Sequence, residues 1–277
     1  MKKLRIATFV ASEYPMPAPP GVIYAPITVA QAISEGLSSR GHEVTLFAPE
    51  GSTAKVTRIE TGTFQPLHDN PVFTAEGIRG KEAEKIFQLG DQYLLGLLFK
   101  EASKGAFDIL HIHPVDRALP FSFFTDTPTV FTLHDPIFPW REWAFRLFQT
   151  SNHYYVSISN AQRNPVPSLP YAATIYNGID TKLFQFNNNP DDMFLFVGRL
   201  LERKGPREAI HAAKRAGVNL TIAGGPDAGP YWEKDIAPHL DDTIRYAGQI
   251  PYEETVALYR RSKAVLVPIL WEEPFGL

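Results

Sequence analysis

Short apolar runs alternate with segments of helical periodicity along nearly the whole sequence, and this alternation limits the fold more than any other feature. In the first part of the chain, strands are predicted at residues 4–10, 43–47, 108–113, 129–133, 154–158 and 174–176. Helices are predicted at residues 28–40 and 80–103, the second with one apolar face formed by Ile86, Leu89, Tyr93, Leu94 and Leu97. Strands that alternate with helices are typical of a doubly wound parallel sheet.

The pattern is interrupted near residues 177–180, and a polar linker follows at 187–192 before the alternation restarts. The second part has predicted strands at 193–197, 219–223, 243–247 and 264–267, and predicted helices at 206–216 and 252–261. We therefore expect an α/β protein of two doubly wound, Rossmann-like domains, residues 1–185 and 186–277, that face a cleft. The second domain has only about four strands where doubly wound sheets usually have more. Its last loop also lacks the helix that should follow, so we expect the chain to be a fragment of a longer protein.

One strand–helix junction of the second domain has the features of a phosphate site. Gly198 follows the strand, Arg199 and Lys204 lie in the loop, and Pro206 begins the helix. Free N–H groups, the helix dipole and two cations favour an anion at such a point. A guanidinium binds phosphate oxygens in a bidentate manner, whereas an ammonium acts as a point charge. The alternative is a plain turn with two solvated cations, and the phosphate interpretation is favoured over it.

Composition excludes several classes of protein. The 277 residues include no cysteine, which excludes disulfides, thiolate zinc sites and cysteine nucleophiles. The net charge is -3 and the cations form no stripe, so no nucleic-acid partner is expected. No stretch approaches the roughly 18 apolar residues of a transmembrane helix. The apolar N-terminal run stops at Ser12 and Glu13 without a signal-peptide cleavage site. We expect a cytoplasmic protein whose association with membranes is at most peripheral.

Several segments resemble, in the same order along the chain, the motifs of retaining glycosyltransferases of family 4, which have the GT-B fold. These segments are residues 41–44, 108–113, 132–135, 157–159, 175–180, 197–205 and 273–277. The resemblance implies that Arg199 and Lys204 hold a nucleotide diphosphate and stabilise its charge as it leaves. It implies that Glu273 contacts hydroxyls of the transferred sugar, and that His134 lies near that sugar on the opposite domain.

The resemblance also implies which positions bind the nucleotide. Besides the two cations they are Gly21, Gly198, Gly224, Gly225, Phe275, Gly276 and Leu277. Pro20 stands where the family often has a second glycine, and a proline supplies no N–H to a phosphate. The two glycines at 224–225 either approach the nucleotide or form only a turn. The family's ribose-binding glutamate would lie beyond the last residue.

The expected function is therefore the transfer of a sugar, with retention, from a nucleotide-sugar donor, most simply a UDP-sugar. The acceptor class is open: a carbohydrate, a lipid-linked molecule or another small molecule. Neither a metal nor a cofactor is expected, because Arg199 and Lys204 supply the charge that a departing diphosphate requires. The alternatives are a nucleotide-sugar epimerase of the same architecture and a nucleotide- or sugar-binding fragment without turnover.

Two further features are open to more than one interpretation. His111 and His113 share a strand face, and packing is favoured over zinc binding because no third ligand is near in sequence. Residues 138–148 form either a helix on a membrane surface or, as we favour, a helix that faces the core. The stripe expected to face the core consists of Trp140, Trp143 and Leu147.

Overall fold

A computed structural model describes residues 2–19, 22, 24–66, 70, 81–225 and 228–276. The chain forms two compact units. The first consists of Met1–Gly178 together with Pro274–Leu277, and the second of Ile179–Glu273. The division at Gly178 coincides with the interruption of the sequence pattern and comes earlier than the domain boundary predicted after residue 185.

The first unit is built on a parallel sheet, and its strand order within the described residues is β3-β2-β1-β4-β5-β6-β7. The strands are β1 Arg5–Phe9, β2 Glu43–Phe47, β3 Arg58–Glu60, β4 Ile109–Ile112, β5 Thr129–Thr132, β6 His153–Ser157 and β7 Tyr171–Thr174. The strand order reverses between β1 and β4, the position at which doubly wound sheets bind ligands. The predicted parallel α/β architecture is confirmed. The short strand β3 was not predicted, and β7 begins and ends earlier than the predicted strand at 174–176.

The helices of the first unit connect these strands. They are Ala25–Ser39, Lys81–Ala102, Val115–Ala118, Pro139–Leu147 and Asn160–Arg163, with a 3-10 helix at Leu119–Phe124. The helical residues between 115 and 124 were not predicted. No helix in the described part of the chain is long and apolar enough to cross a membrane.

The helix Lys81–Ala102 exists as predicted, but the predicted apolar face is only partly the buried one. Leu94 is buried and Leu97 packs against the core, whereas Leu89 is 64% exposed and Tyr93 is 46% exposed. The other members of the buried stripe are Asp91, Leu95, Leu98, Phe99 and Ala102. A carboxylate in a buried stripe is unusual, but Asp91 is paired with Arg117 and accepts the backbone N–H of Ser12. These two partners compensate the cost of burying the carboxylate, so the face of the helix that contains Asp91 can pack against the core.

The helix Pro139–Leu147 is also oriented differently from the prediction. Trp140, Trp143 and Leu147 are 54%, 64% and 55% exposed, whereas Phe145 is fully buried. Arg141 lies on the inward side, one turn before Phe145, and forms ion pairs with carboxylates of the unit. The aromatic stripe predicted to face the core therefore faces solvent, because an arginine and a phenylalanine occupy the inward positions.

His153 is a buried histidine whose protonation should couple to stability. It is 1% exposed, its two ring nitrogens have no hydrogen-bond partner within the described residues, and Phe131 packs edge-on against it. Burial lowers the pKa of His153 to about 4. The unfolded chain, with a histidine pKa of about 6.5, then binds a proton that the folded state excludes. The contribution of His153 to the free energy of unfolding is therefore fully present above about pH 6.5, and it is lost as the pH falls toward 4.

We expect His153→Phe to reduce this dependence on pH. The melting temperature of the wild type should fall between pH 6.5 and 4.5, and the variant should show a shallower fall. The slope should not vanish, because burial also lowers the pKa of His111 and His134, each to about 4. The exposed His211 provides the control, since His211→Asn should leave the slope as in the wild type. Equal slopes in the wild type and in His153→Phe would contradict the linkage.

The second unit contains a smaller parallel sheet with the strand order β10-β9-β8-β11 in the described residues. The strands are β8 Phe194–Val197, β9 Leu220–Ala223, β10 Ile244–Gly248 and β11 Ala264–Val265. The helices Pro206–Ala216 and Tyr252–Arg261 have the predicted bounds. A 3-10 turn covers Glu202–Lys204, a π turn covers Trp232–Ile236, and a second 3-10 turn covers Ala237–His239. Phe196, Ile210, Ile222 and Ile244 form the centre of its core.

Candidate functional site

In the second unit, the loops that follow β8 and β9 touch through their backbones. Gly198 donates its N–H to Ala223 O at 3.0 Å, and Leu200 donates to Gly225 O at 2.8 Å. Gly224 has φ +137°, and a Cβ atom there would lie 1.9 Å from Gly198 O. Glycine is therefore required at 224 for the two loops to approach, because any side chain would displace one of them. The structure thus brings Gly198, Gly224 and Gly225 together at the carboxyl ends of neighbouring strands.

The two predicted phosphate-binding cations have different surroundings. Arg199 is exposed and forms no ion pair within the described residues. Lys204 is partly buried, and its Nζ lies 2.5 Å from Glu273 Oε2. The same carboxylate oxygen accepts the indole N–H of Trp271 at 2.7 Å. The residues predicted to bind the diphosphate and the sugar, Lys204 and Glu273, are therefore in direct contact.

The loop that contains Glu273 is fixed against the start of the helix Pro206–Ala216. Leu270 donates its N–H to Arg203 O at 2.9 Å, and the Arg203 guanidinium lies 4.5 Å from the centre of the Trp271 ring. Gly205, which precedes the helix, has φ +74°, and a Cβ atom there would lie 1.9 Å from Pro268 O. The close approach at Gly205 is thus what lets the two loops, which are distant in sequence, share an ion pair.

This geometry predicts that Gly205→Ala destabilises the second unit. The left-handed backbone costs about 1–2 kcal/mol for a residue with a Cβ, and the overlap with Pro268 should add about 1–3 kcal/mol. Gly217→Ala is the matched control at the other end of the same helix. Its φ is +66°, but nothing lies within 4 Å of a Cβ there. Denaturant unfolding should therefore show a larger loss of unfolding free energy for Gly205→Ala than for Gly217→Ala. Equal losses would show that the backbone at Pro268 moves away from the new Cβ atom without an energetic penalty.

In the first unit, His134 follows β5 and contacts a second histidine that follows β4. His113 Nδ1 lies 2.7 Å from His134 Nε2. His111, one strand position earlier on the same face, has its Nε2 2.9 Å from Thr132 Oγ1. Burial lowers the pKa of His134 to about 4 although the Asp135 carboxylate acts to raise it. Burial and the two neighbouring rings hold the pKa of His113 well below its ordinary value. The imidazoles of His111, His113 and His134 are therefore neutral at neutral pH.

Charged residues that were not predicted as site residues surround these histidines. Arg141 forms ion pairs with Asp116 at 2.8 Å and with Asp135 at 3.0 Å. Burial raises the pKa of Asp116, and Arg141 opposes that rise. A cavity of about 30 Å³ lies here, lined in part by His113, Asp116, His134, Asp135 and Arg141. It has room for about one or two waters and is far smaller than a typical ligand pocket of about 300 Å³ or more.

A second unpredicted cluster fixes the loop after β1. Asp91 is 1% exposed, binds Arg117 and accepts the Ser12 N–H at 2.7 Å. Burial, reinforced by the negative charge of Asp91, raises the pKa of Tyr24. The sequence carried no clear signal for this pair, because the helix Lys81–Ala102 has several other charged residues, among them Glu82, Glu84 and Lys100. The pairing of Asp91 with Arg117 depends on positions far apart in the chain.

The remaining predicted residues are distributed as follows. Phe275 stacks on Tyr176 with 5.8 Å between ring centres, and Gly276 is exposed. Gly21 and Leu277 lie outside the described residues. No group of three His, Cys, Asp or Glu side chains that could hold a metal ion occurs in the described part of the chain. The predicted cleft, and the predicted approach of His134 to the sugar, stay predictions.

Comparisons with known proteins agree with the architecture of both units. The family model described as "Glycosyltransferase Family 4" matches residues 28–183, and the model "Glycosyl transferases group 1" matches residues 179–277. A D-inositol 3-phosphate glycosyltransferase of Corynebacterium efficiens is 37% identical over 94 residues, which are 30% of this chain and 22% of the relative. The aligned stretch thus spans less than a quarter of that relative.

Solved structures share the fold over almost the whole chain. A glycosyltransferase involved in avilamycin A biosynthesis has a TM-score of 0.64 at 19% identity, over 98% of this chain and 74% of that chain. A UDP-forming α,α-trehalose-phosphate synthase of Burkholderia vietnamiensis has a TM-score of 0.63 at 14% identity, over 100% of this chain and 79% of that chain. The predicted GT-B type of fold, with two Rossmann-like units, is confirmed by this likeness. Because the first family model covers more than half of the sequence, the chain belongs to glycosyltransferase family 4.

Proposed function

We propose that the protein transfers a sugar from a nucleotide-sugar donor, a UDP-sugar, to a hydroxyl-bearing acceptor with retention at the anomeric carbon. The observation that carries this proposal is the Lys204–Glu273 contact at 2.5 Å, in the same unit in which the loop after β8 carries the exposed Arg199. The contact offers an ammonium to a diphosphate and, beside it, a carboxylate to sugar hydroxyls. Family membership and the UDP-forming structural relative support the same donor class.

The proposed chemistry depends on charge that is already in position. Breaking the sugar–phosphate bond places additional negative charge on the departing diphosphate, and Arg199 and Lys204 stabilise that charge. Lys204 must then share its three N–H donors between Glu273 and a phosphate oxygen, which an ammonium is able to do. Glu273 stays beside the cation and accepts hydrogen bonds from hydroxyls of the transferred sugar. With two cations available, we propose that the transfer needs neither metal nor cofactor.

On the first unit, we propose that neutral His134 contacts the transferred sugar and that the acceptor binds near the end of β5. The acceptor is a carbohydrate, a lipid-linked molecule or another small molecule. D-Inositol 3-phosphate is one member of a test panel because a relative's name includes it. We further propose that the protein acts in the cytoplasm, where nucleotide-sugar donors are available to it.

Calorimetry and turnover assays together test the proposal. Titration with UDP, uridine, ADP and GDP should give the tightest binding for UDP. Incubation with a panel of UDP-sugars and acceptors should release UDP and form a glycoside whose anomeric configuration, read by NMR, matches that of the donor. Inversion would contradict the retaining mechanism. UDP binding without turnover of any donor, with or without an acceptor, would favour the nucleotide-binding alternative.

A further inference from the structure

We propose that His113 is a positioning residue that fixes the tautomer of His134, so that His134 offers its Nδ1–H as a hydrogen-bond donor at the site. The substrate group that receives this hydrogen bond, a hydroxyl of the transferred sugar, rests on the proposed function. The tautomer itself rests only on the geometry of the first unit.

A single proton lies between His113 Nδ1 and His134 Nε2, the two nitrogens that face each other. His113 Nδ1 and His134 Nε2 are 2.7 Å apart, a hydrogen-bond distance. Two N–H groups would clash there and two lone pairs would repel. One nitrogen therefore donates and the other accepts, and the tautomer of either neutral ring determines the tautomer of the other.

The opposite nitrogen of His113 decides which ring donates. His113 is 4% exposed, and its Nε2 is buried without a hydrogen-bond partner in the described part of the chain. The groups that act on His113 are the neighbouring rings of His111 and His134, with no carboxylate among them. A buried N–H without an acceptor is rarer in proteins than a buried acceptor without a donor. The proton of His113 is therefore on Nδ1, which donates to His134 Nε2.

The free nitrogen of His134 follows from this assignment. Neutral His134 accepts a hydrogen bond at Nε2 and so carries its proton on Nδ1. His134 Nδ1 forms no hydrogen bond with the described residues and is not among their buried unpaired atoms, so solvent reaches it. The charged groups nearby are Asp135, Asp116 and Arg141, and the two carboxylates are paired with the guanidinium. A substrate oxygen that arrives here meets an N–H donor already fixed in orientation.

His113 thus acts through His134 and does not itself touch substrate. Without His113, the His134 ring would adopt both tautomers. In one of them Nδ1 would carry a lone pair and could not donate a hydrogen bond to the substrate oxygen. Asparagine is the conservative replacement, because its side-chain NH₂ group corresponds in position to Nδ1–H of histidine and donates in the same way. Leucine at the same position retains the bulk and removes the donor.

Nitrogen-15 NMR of the histidine side chains in the full chain tests the proposal directly. The spectrum should show His134 protonated at Nδ1 and bare at Nε2, in the wild type and in His113→Asn, whereas His113→Leu should show a mixture of tautomers. A His134 protonated at Nε2 in the wild type overturns the proposal. This measurement needs no substrate, so it stands even if the proposed sugar transfer fails.

Kinetics with the active UDP-sugar provide the second readout. His113→Leu should lower kcat about tenfold, the scale of one hydrogen bond, with little change in KM, and His113→Asn should recover the larger part of that loss. If the leucine variant does not fold, the wild-type spectrum and the asparagine variant still decide the matter. Equal losses in a folded asparagine and leucine variant would show that His113 only packs, and would overturn the positioning role.

Discussion

Replacing Arg199 or Lys204 with alanine should weaken UDP binding by about 10- to 150-fold. This corresponds to about 1.5–3 kcal/mol, the range for a hydrogen bond to a charged group. Lys204→Ala should have the larger effect, because it also leaves the Glu273 carboxylate beside the diphosphate without the ammonium that now lies 2.5 Å away. Uridine, which lacks the phosphates, should bind nearly as well to both variants as to the wild type. Calorimetry with both ligands measures the difference.

A control and a double variant sharpen this test. Arg215 is an exposed arginine at the opposite end of the helix Pro206–Ala216, and Arg215→Ala should leave UDP affinity unchanged. Adding Glu273→Gln to Lys204→Ala should restore part of the lost affinity, because the like-charge repulsion disappears with the carboxylate. Equal losses of UDP and uridine affinity in the single variants would show that the cations support the loop and do not bind phosphate.

The helices and strands were predictable where local chemistry determines them. The helix Pro206–Ala216 has its predicted bounds because Gly205 and Gly217, both with positive φ, flank it and Pro206 begins it. The bounds of β2 were predicted because a glycine turn and an apolar run define them locally. By contrast, β3 has three residues and only an exposed or half-buried pattern, which no periodicity separates from a loop.

The faces that the helices bury were less predictable, because they depend on partners from elsewhere in the chain. Asp91 is buried because it pairs with the partly exposed Arg117, and Arg141 turns inward to Asp116, so hydrophobicity alone misplaces part of the buried face in the first helix and all of the predicted stripe in the second. The same limit applies to the candidate site. The motifs selected His134, Arg199, Lys204 and Glu273, but the contact of Lys204 with Glu273 joins residues 69 positions apart. The contact of His134 with His113 depends on the adjacency of β4 and β5.

Turnover should be most sensitive to Glu273. Glu273→Gln should lower kcat for sugar transfer by about 100-fold or more, the effect of removing one preorganised group that acts on the transition state. A carboxylate accepts hydrogen bonds from sugar hydroxyls and stabilises the positive charge that develops at the anomeric carbon, and a neutral amide does neither as well. UDP affinity should be unchanged or modestly higher, because Lys204 is released from its ion pair. Steady-state kinetics and UDP calorimetry on one preparation separate the two effects.

The adjacent Glu272 supplies the matched control for this prediction. It is exposed, whereas Glu273 is partly buried with Lys204 and Trp271 around it. Glu272→Gln changes the net charge by the same amount and should leave both kcat and UDP affinity close to those of the wild type. In Glu273→Gln the new amide oxygen can still accept the Trp271 N–H, so the loop should keep its conformation and the protein its melting temperature. A parallel loss of UDP affinity and turnover in Glu273→Gln would show that the carboxylate serves only to hold Lys204, and would remove it from the sugar site.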